Sequence, residues 1–402
     1  MKNRIAPRML SLALAAGFLP ASAGAATIDS WNLSNVEPGP AVTGTDTGAS
    51  VVYDRVLPDT LARTNGQIVY TAPEADTPGM RVSNVPFTQS GDAYTGCILA
   101  TSGTTCDGPF QSGKRFKVQA TDTGAVDLVF DVTETQTDSV YRVFQRLINV
   151  TGEALGGFKI ELGTGIGGGF TASTDNDGLS FSSTVSMGPD GASSFSQFPF
   201  GLFGSLTQPN PNPLQLPGFF DTTSRAGFNV VQSLDSIVST GFYGSYGQLF
   251  GNWLSQDDVP DGLLWDYASG TADPLVMAWD NGSQWEVRRG IDDSLDGVLG
   301  SISAEDVYAL AEAQWKTYDY GDIAGVETFL AGIPLFADAI EDLANLNLNF
   351  AINLGSDFSG RTFTLRTTSI APIPLPAGLP LLLTGLAALL GLRYRRKTPA
   401  MM

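Results

Sequence analysis

The segment LNLNFAINL, residues 346–354, alternates apolar and polar side chains. Successive side chains of a β-strand point to opposite faces of the sheet, so this alternation predicts a strand with one buried face. Five apolar side chains are expected to point inward: Leu346, Leu348, Phe350, Ile352 and Leu354. Asn347, Asn349 and Asn353 are expected to face outward. The segment RTFTLRTT, residues 361–368, is predicted to pair with this strand as a hairpin that turns at residues 357–360.

Other segments show the same two-residue period. RFKVQATDTGAVDLVFDVT, residues 115–133, alternates on both sides of a turn at 122–124, which predicts a hairpin. LVMAWDNGSQWEVRR, residues 275–289, predicts a hairpin with Asn281-Gly282 at its tip, and Asn65-Gly66 is a second two-residue hairpin signal. Residues 139–149 alternate as well, but both of their faces are mixed, so the sequence leaves open which face is buried.

These patterns predict a mainly β protein, an antiparallel β-sandwich-like body with a few short helices. Ser303 and Asp306 resemble a capping box for a helix through Ala313, and Pro334 is placed to open a second helix over residues 334–346. The predicted organisation is a signal peptide (1–26), a β-rich region with a disulfide loop (27–190), a Pro/Phe/Gly-rich loop or boundary (191–226), a β-rich region with two helices (227–370) and a C-terminal sorting signal (371–402) with a transmembrane helix at 378–392.

The N-terminus has the pattern of a secretory signal peptide. Lys2, Arg4 and Arg8 precede an apolar stretch, and small residues follow it up to a predicted cleavage after Ala25 or Ala26. The two ends carry seven of the 22 basic residues and none of the 41 acidic ones, so the body keeps 15 basic residues and a net charge of −26. This charge argues against nucleic acid and anionic lipid as partners, while neutral glycans and cations stay possible ligands.

The chain has two cysteines, Cys97 and Cys106, on either side of a short loop. An exported protein meets an oxidising compartment, so we expect a disulfide between them. A reactive thiol is the alternative, which is disfavoured because no adjacent basic residue would lower the pKa of either cysteine.

The sequence contains no histidine, which excludes Ser-His-Asp and Cys-His catalysis and zinc sites built on histidine. Gly163, Gly165 and Gly168 satisfy a G-x-G-x-x-G pattern, but the residues that follow are too rich in turns for the helix that a nucleotide site requires. Asp175 and Asp177 begin like a calcium loop, yet no glutamate follows at the required spacing. We therefore expect ordinary turns and no cofactor, with weak Ca²⁺ binding near Asp175 and Asp177 as an alternative.

Paired carboxylates are the catalytic option that remains, as in glycoside hydrolysis. The candidates are Asp257, Asp258, Asp261, Asp292, Asp293, Glu305 and Asp306, each of which is also explained as a solvated surface residue. Five of the six tryptophans cluster as well: Trp253, Trp265, Trp279, Trp285 and Trp315. They are either platforms for sugar rings or core residues, and the core is favoured.

The C-terminal residues carry a tripartite pattern: the extended motif Ile373, Pro374, Leu375, Pro376 and Ala377, an apolar run to Leu392, and the basic residues Arg393, Arg395, Arg396 and Lys397. This segment resembles the VPLPA-CTERM sorting signal, a variant of the PEP-CTERM class that exosortases handle in Gram-negative bacteria, with Ile373 in place of valine. The 20 uncharged residues at 373–392 would form a helix of about 30 Å, the thickness of a bilayer core. The resemblance implies cleavage near Pro376 or Ala377 after export through the Sec machinery, and a plain transmembrane anchor is the alternative.

The body is similar to the choice-of-anchor F family in the segments GQIVYTAPEADTPG, SGKRFKVQATDTGAVDLVFDV, NVTGEALGGFKIELG, GSYGQLFGNWL and IEDLANLNLNF. This resemblance covers most of residues 40–370 and implies a location at the cell surface or in the extracellular matrix, with no defined reaction and no catalytic residues. The predicted function is adhesive or structural, with exosortase and extracellular polysaccharide as partners. The alternative is a glycan-binding protein or a glycoside hydrolase that uses carboxylates.

Overall fold

The computed structural model describes residues 27–89, 91–101, 104–107, 112–133, 138–182, 194–196, 227–243, 252–260, 262–265, 275–280, 285–289 and 341–372. The predicted signal peptide, the predicted helix at 303–313 and the segment from residue 373 onward lie outside these residues. The predicted helix at 334–346 lies inside them only at its end, where Glu341–Ala344 is a 3-10 turn and Asn345 opens a strand.

The described residues form a mainly β protein whose helical elements are short 3-10 turns. The turns are Ser112–Lys114, Gly167–Gly169, Gln256–Asp258 and Glu341–Ala344. The strands are β1 (Thr27–Asn32), β2 (Val36–Glu37), β3 (Thr47–Tyr53), β4 (Thr64–Thr71), β5 (Met80–Ser83), β6 (Phe87–Gln89), β7 (Asp92–Tyr94), β8 (Gly96–Ala100), β9 (Phe116–Ala120), β10 (Ala125–Thr133), β11 (Ser139–Asn149), β12 (Gly157–Thr164), β13 (Thr171–Ala172), β14 (Leu179–Phe181), β15 (Ser194–Ser196), β16 (Gly227–Gln232), β17 (Ser236–Tyr243), β18 (Gly262–Trp265), β19 (Leu275–Asp280), β20 (Trp285–Arg289), β21 (Asn345–Leu354) and β22 (Thr362–Ile370).

Two large sheets contain most of these strands. An eight-stranded sheet has the order β1-β10-β22-β12-β17-β16-β15, with β13 paired to β12, and all of its pairs are antiparallel. A nine-stranded sheet has the order β14-β21-β11-β9-β4-β3-β2, with β8 and β5 attached beside β11. This second sheet is mixed, because β11 runs parallel to both β8 and β9. Both sheets combine strands from the first 182 residues with strands from beyond residue 344.

The two sheets share one hydrophobic core. Alternate side chains from strands of both sheets fill it, among them Phe130, Phe158, Phe363, Phe116, Val143, Leu147, Leu348 and Phe350. Polar contacts also cross the core: Gln145 Nε2 of β11 donates to Thr367 Oγ1 of β22 at 3.2 Å. The Tyr141 hydroxyl accepts a hydrogen bond from the backbone N–H of Ile28 in β1 at 3.1 Å.

The inward face predicted for residues 346–354 is confirmed, because all five apolar side chains belong to this core. The three asparagines lie on the opposite face, but Asn347 is buried, with 5% of its surface exposed. In β11 the face left open by the sequence is now assigned, since Tyr141, Val143 and Leu147 point into the core. Phe144, on the other face, packs in a second cluster with Phe87, Tyr94, Cys97, Leu99, Cys106 and Ala351.

Three of the predicted hairpins are wrong and one is confirmed. The strands on either side of residues 122–124 lie in different sheets, as do β21 and β22 on either side of residues 355–361, so each connection carries the chain from one sheet to the other. Asn65-Gly66 lies inside β4, where the Asn65 amide donates to Ala125 O at 3.0 Å, and is not a turn. β19 and β20 do pair antiparallel, with Asp280 opposite Trp285, as the signal at residues 281–282 predicts.

Candidate functional site

The predicted disulfide is present and closes a loop over one face of the nine-stranded sheet. Cys97 in β8 and Cys106 are bonded, with their Cα atoms 5.9 Å apart. Lys114 contacts this loop: its Nζ donates to Cys106 O at 3.3 Å and to Asp107 O at 2.5 Å. Burial lowers the pKa of Lys114, and the charge of Asp107 opposes this effect. The buried cation thus holds the loop in place through backbone carbonyls.

The glycine segment forms a turn that an ion pair holds in place. Asp127 of β10 and Arg366 of β22 lie opposite each other on neighbouring strands, on the side away from the core. Arg366 Nε and Nη2 donate to the two carboxylate oxygens at 2.7 and 2.8 Å. Gly167 N donates to Asp127 Oδ2 at 2.7 Å, and Gly167 O accepts from Arg366 Nη2 at 2.8 Å.

This turn is followed by the short strand β13, so the helix N-terminus that a dinucleotide site requires does not follow the glycines. Gly167 has a φ of 54°, and a Cβ at this position would collide with the backbone oxygen of Asp54. The Phe170 ring covers the Arg366 guanidinium, with the Cζ atom 3.9 Å from the ring centroid. The glycines therefore serve close packing over the ion pair.

The Asp175–Asp177 segment is also a turn. Asp177 Oδ1 accepts from Ser173 Oγ at 2.7 Å and from Leu179 N at 3.1 Å, and its Oδ2 accepts from Thr174 N at 2.7 Å. Burial raises the pKa of Asp177, but these hydrogen bonds outweigh burial and hold the pKa below its ordinary value. Both carboxylate oxygens are engaged by protein donors, and the described part of the chain contains no group of three or more His, Cys, Asp or Glu side chains able to hold a metal ion.

The remaining candidates are placed only in part. Asp257 and Asp258 are exposed in a 3-10 turn, while Asp261, Asp292, Asp293, Glu305 and Asp306 lie outside the described residues. Trp253 is a core residue: it is fully buried, and its Nε1 donates to Ala344 O at 3.0 Å. Trp265, Trp279 and Trp285 lie in strands β18 to β20, and Trp315 lies outside the described residues. The predicted sorting and stop residues, Ile373, Pro374, Leu375, Pro376, Ala377, Arg393, Arg395, Arg396 and Lys397, lie outside them as well.

A group of side chains that the sequence did not single out lies on the outer side of the nine-stranded sheet. Alternation in β4, β9, β11 and β21 places these side chains on the face away from the core. We call this group the amide face, and it consists of Gln67, Gln119, Lys117, Arg146, Asn347 and Asn349. Strand pairing puts Gln67 opposite Gln119 and puts Arg146 between Lys117 and Asn347. Except for the buried Asn347, its members are half-buried.

Hydrogen bonds orient several of these side chains. Gln67 Nε2 donates to Gln119 Oε1 at 2.7 Å, and Arg146 Nε donates to Asn347 Oδ1 at 3.2 Å. Asn349 Oδ1 is shielded from solvent and has no hydrogen-bond partner in the described part of the protein. A buried acceptor without a hydrogen-bond partner costs about 1–3 kcal/mol.

The strands that form this face differ in charge composition from the protein as a whole. Acidic residues outnumber basic ones by 41 to 22 in the chain, yet β3, β4, β9, β11 and β21 contain no Asp or Glu. Their charged residues are Lys117, Arg142 and Arg146. Burial lowers the pKa of Arg142, which stacks near Tyr94, so the more accessible charges are those of Lys117 and Arg146. The sequence contains this lack of carboxylates, but it can be recognised only when the strands are known to be neighbours in one sheet.

No family model matches the chain, and no curated protein or solved structure matches it. The resemblances to the choice-of-anchor F family and to the VPLPA-CTERM signal therefore stay predictions from the sequence. Within the described residues, no helix is long and apolar enough to cross a membrane.

Proposed function

We propose that this protein is exported through the Sec machinery of a Gram-negative bacterium, sorted by an exosortase, and released to the cell surface or the exopolysaccharide matrix. Its acidic body, in this proposal a β-sandwich, acts there as adhesive or structural material without catalysis. The N-terminal pattern at residues 1–26 and the tripartite pattern after Pro372 support the route.

The observation that carries the proposal is the disulfide between Cys97 and Cys106. Disulfides form and persist in oxidising compartments outside the cytoplasm, so a body that is built around one fits an exported protein. The polar clusters described above are also consistent with a structural role. Asp127 and Arg366 bond to each other and to the backbone of Gly167. Asp177 accepts from the Ser173 hydroxyl and from backbone N–H groups, and Lys114 donates to backbone carbonyls, so these charged atoms stabilise turns and loops of the body.

Mass spectrometry of the mature C-terminus tests the proposed route. In cells that produce the protein together with an exosortase, we expect a chain that ends near Pro376 or Ala377 and lacks the basic residues at 393–397. In cells without the exosortase, the same residues should remain attached. A mature protein that keeps these residues in both strains would instead be a plain transmembrane anchor, and the proposed sorting would be wrong.

Glycan binding is the second candidate function, because the amide face presents hydrogen-bonding groups of the kind that recognise sugar hydroxyls. A carboxylate-dependent glycoside hydrolase belongs to the same alternative. Incubation of the purified protein with the producer's own polysaccharide separates the two. Binding without release of reducing ends supports a binding protein. Reducing-end release that disappears when one candidate, such as Asp257, is replaced by asparagine would establish an enzyme.

A further inference from the structure

We infer that the end of the body from which the chain continues to the predicted sorting signal is a docking surface for the peptidase that removes this signal. The inference rests on the proposed function, since it names the part of the body that the exosortase contacts. It follows from the place where the described chain ends and from the number of residues between that place and the predicted cut.

The body holds the chain in a fixed position as far as Pro372. Ile370, the last residue of β22, pairs with Gly157 of β12, and its carbonyl oxygen accepts a hydrogen bond from Gly156 N at 2.8 Å. The next two residues pack on Gly156, because a Cβ at this glycine would lie 2.9 Å from Ala371 O and 3.0 Å from Pro372 Cα. The predicted sorting motif begins at the following residue, so no linker separates it from the body.

The predicted cut lies too near to the body for an enzyme to avoid contact with it. Cleavage near Pro376 or Ala377 leaves four or five residues between Pro372 and the cut. An extended chain spans at most about 3.6 Å per residue, so the cut is no more than about 18 Å from Pro372. A small domain is about 30 Å in diameter. A peptidase that places its catalytic groups at the cut therefore reaches the surface of the body around Ile370.

The surface around Ile370, which we call the exit end, consists of residues 121–124, 150–156 and 253–258. Residues 121–124 connect β9 to β10, whose first residue pairs with Thr368 of β22. Residues 150–156 connect β11 to β12, whose first residue pairs with Ile370. Residues 253–258 belong to this end because hydrogen bonds join them to the second connection.

These hydrogen bonds make the exit end a preorganised surface. Leu155 and Trp253 exchange two backbone hydrogen bonds, at 2.7 and 2.8 Å, and Gly152 N donates to Ser255 Oγ at 3.0 Å. A surface that is ordered before contact loses little conformational entropy when a partner binds, which favours docking.

The charged residues of the exit end define the chemistry of its partner. Its three segments contain Asp122, Glu153, Asp257 and Asp258, which are exposed, and they contain no lysine or arginine. A carboxylate that loses its water without gaining a partner is costly. The part of the peptidase that faces the exit end therefore presents hydrogen-bond donors or positive charges.

The opposite end of the body, the far end, is out of reach of the same enzyme and provides a control position. β10 runs over eight residue steps, about 27 Å, from Ala125 at the exit end to Thr133 at the far end. The connection between β21 and β22 lies at the far end, because Thr362, which follows it, pairs with Asp131. Asp357 is exposed in this connection.

The test compares removal of the tail in cells that produce the full-length chain together with the exosortase. Mass spectrometry of the C-terminus after a pulse of synthesis gives the rate at which the basic residues at 393–397 are lost. Glu153→Arg places a longer side chain of opposite charge on the exit end and should slow this loss about threefold, the size expected for one exposed contact. Asp357→Arg makes a similar change at the far end and should leave the rate unchanged.

A spacer separates loss of the contact from damage to the fold. Twelve residues of a Gly-Ser repeat between Pro372 and Ile373 add a flexible linker of about 19 Å, which lets the enzyme act without touching the exit end. In a chain with this spacer, Glu153→Arg should no longer change the rate of removal.

The outcomes distinguish the inference from the proposed function. The inference is overturned, and the proposed route stands, if Glu153→Arg is trimmed at the wild-type rate, if Asp357→Arg slows trimming equally, or if the spacer leaves the effect of Glu153→Arg unchanged. If the tail of the wild-type chain is never removed, the proposed route is wrong and this inference is wrong with it.

Discussion

Replacement of Asp127 by alanine should destabilise the body through the loss of one buried carboxylate. The Asp127 side chain is 1% exposed and accepts three hydrogen bonds, two from Arg366 and one from Gly167 N. The Arg366 side chain is 14% exposed. In Asp127→Ala its guanidinium loses its counter-ion and keeps its bond to Gly167 O and its contact with Phe170. The positive charge of Arg366, left largely buried without its partner, is the main cause of the expected loss of stability.

The size of the effect follows from these contacts. Breaking a buried ion pair by removing one partner costs about 3–5 kcal/mol. Arg366 retains some solvent exposure and one backbone acceptor, so we expect a value at the lower end, about 3 kcal/mol of the free energy of unfolding. Arg366→Met removes the charge that would be left unpaired. The double variant Asp127→Ala/Arg366→Met should therefore be less destabilised than Asp127→Ala alone, because no charge is left buried without a partner.

Equilibrium unfolding in urea, followed by tryptophan fluorescence, measures these differences. Asp131→Ala is a matched control, since Asp131 lies on the same strand and the same face but is half-buried. Among the described residues its carboxylate bonds to Ser30 and Asn32. Its replacement should cost less than about 1 kcal/mol. If Asp127→Ala costs no more than Asp131→Ala, or if the double variant loses the sum of the two single losses, the ion pair does not stabilise the glycine turn as argued.

Three further predictions concern stability. The double variant Cys97→Ser/Cys106→Ser should lose about 2–3 kcal/mol for a closed loop of this size, and reductant should destabilise the wild-type protein equally in urea unfolding. Tyr141→Phe should cost about 1–2 kcal/mol in the same assay, because it removes the hydroxyl that bonds to Ile28 N. Burial raises the pKa of Tyr141 from 10.0 to about 12. The contribution of Tyr141 to the free energy of unfolding is therefore complete below pH 10 and is lost as the pH rises through 12. Absorbance at 295 nm will follow the ionisation of the tyrosine, and urea unfolding at pH 9 and pH 11 will measure the loss of stability. The pKa of Asp177 is lowered in the folded protein, so its contribution to the free energy of unfolding is present above the ordinary carboxylate pKa and is lost as the pH falls through the lowered pKa. Asp177→Asn removes this ionisation and should therefore make the free energy of unfolding less sensitive to acid.

The positions of many strands were predictable from the sequence because alternation is a local property. The segments at 116–120, 125–133 and 345–354 are strands, and the apolar face of the last one points into the core. Their partners were not predictable in the same way. A short turn between two alternating segments is typical of a hairpin, but β9 pairs with β4 and β11 while β10 pairs with β1 and β22. Alternation defines the two faces of a strand and contains no information about its neighbours.

The polar sites also differ in how far the sequence predicts them. The disulfide was predictable, since the chain has two cysteines close in sequence and an export pattern. The pair of Asp127 and Arg366 was not, because 239 positions separate the two residues and sheet pairing alone makes them neighbours. The mixed faces of β11 have a physical reason: Gln145 points into the core, where it bonds to Thr367, and Phe144 points outward into the second cluster. Tertiary contacts there override the binary pattern.

The topology has a consequence for export. β21 and β22 lie near the C-terminal end of the described residues, yet each occupies an interior position, between β14 and β11 in one sheet and between β10 and β12 in the other. Neither sheet can be completed until residues 345–370 are available to pair with strands that precede them by some 200 positions. Such non-local pairing makes folding slow relative to folds with local contacts, because loop closure must precede the stabilising contacts. A chain whose last strands complete both sheets cannot finish folding before these strands are made, which fits the proposed export of an unfolded chain through the Sec machinery. The proposed secretion route and the strand order are therefore compatible, and the final strands would complete the fold only after they have joined the earlier ones outside the cytoplasm.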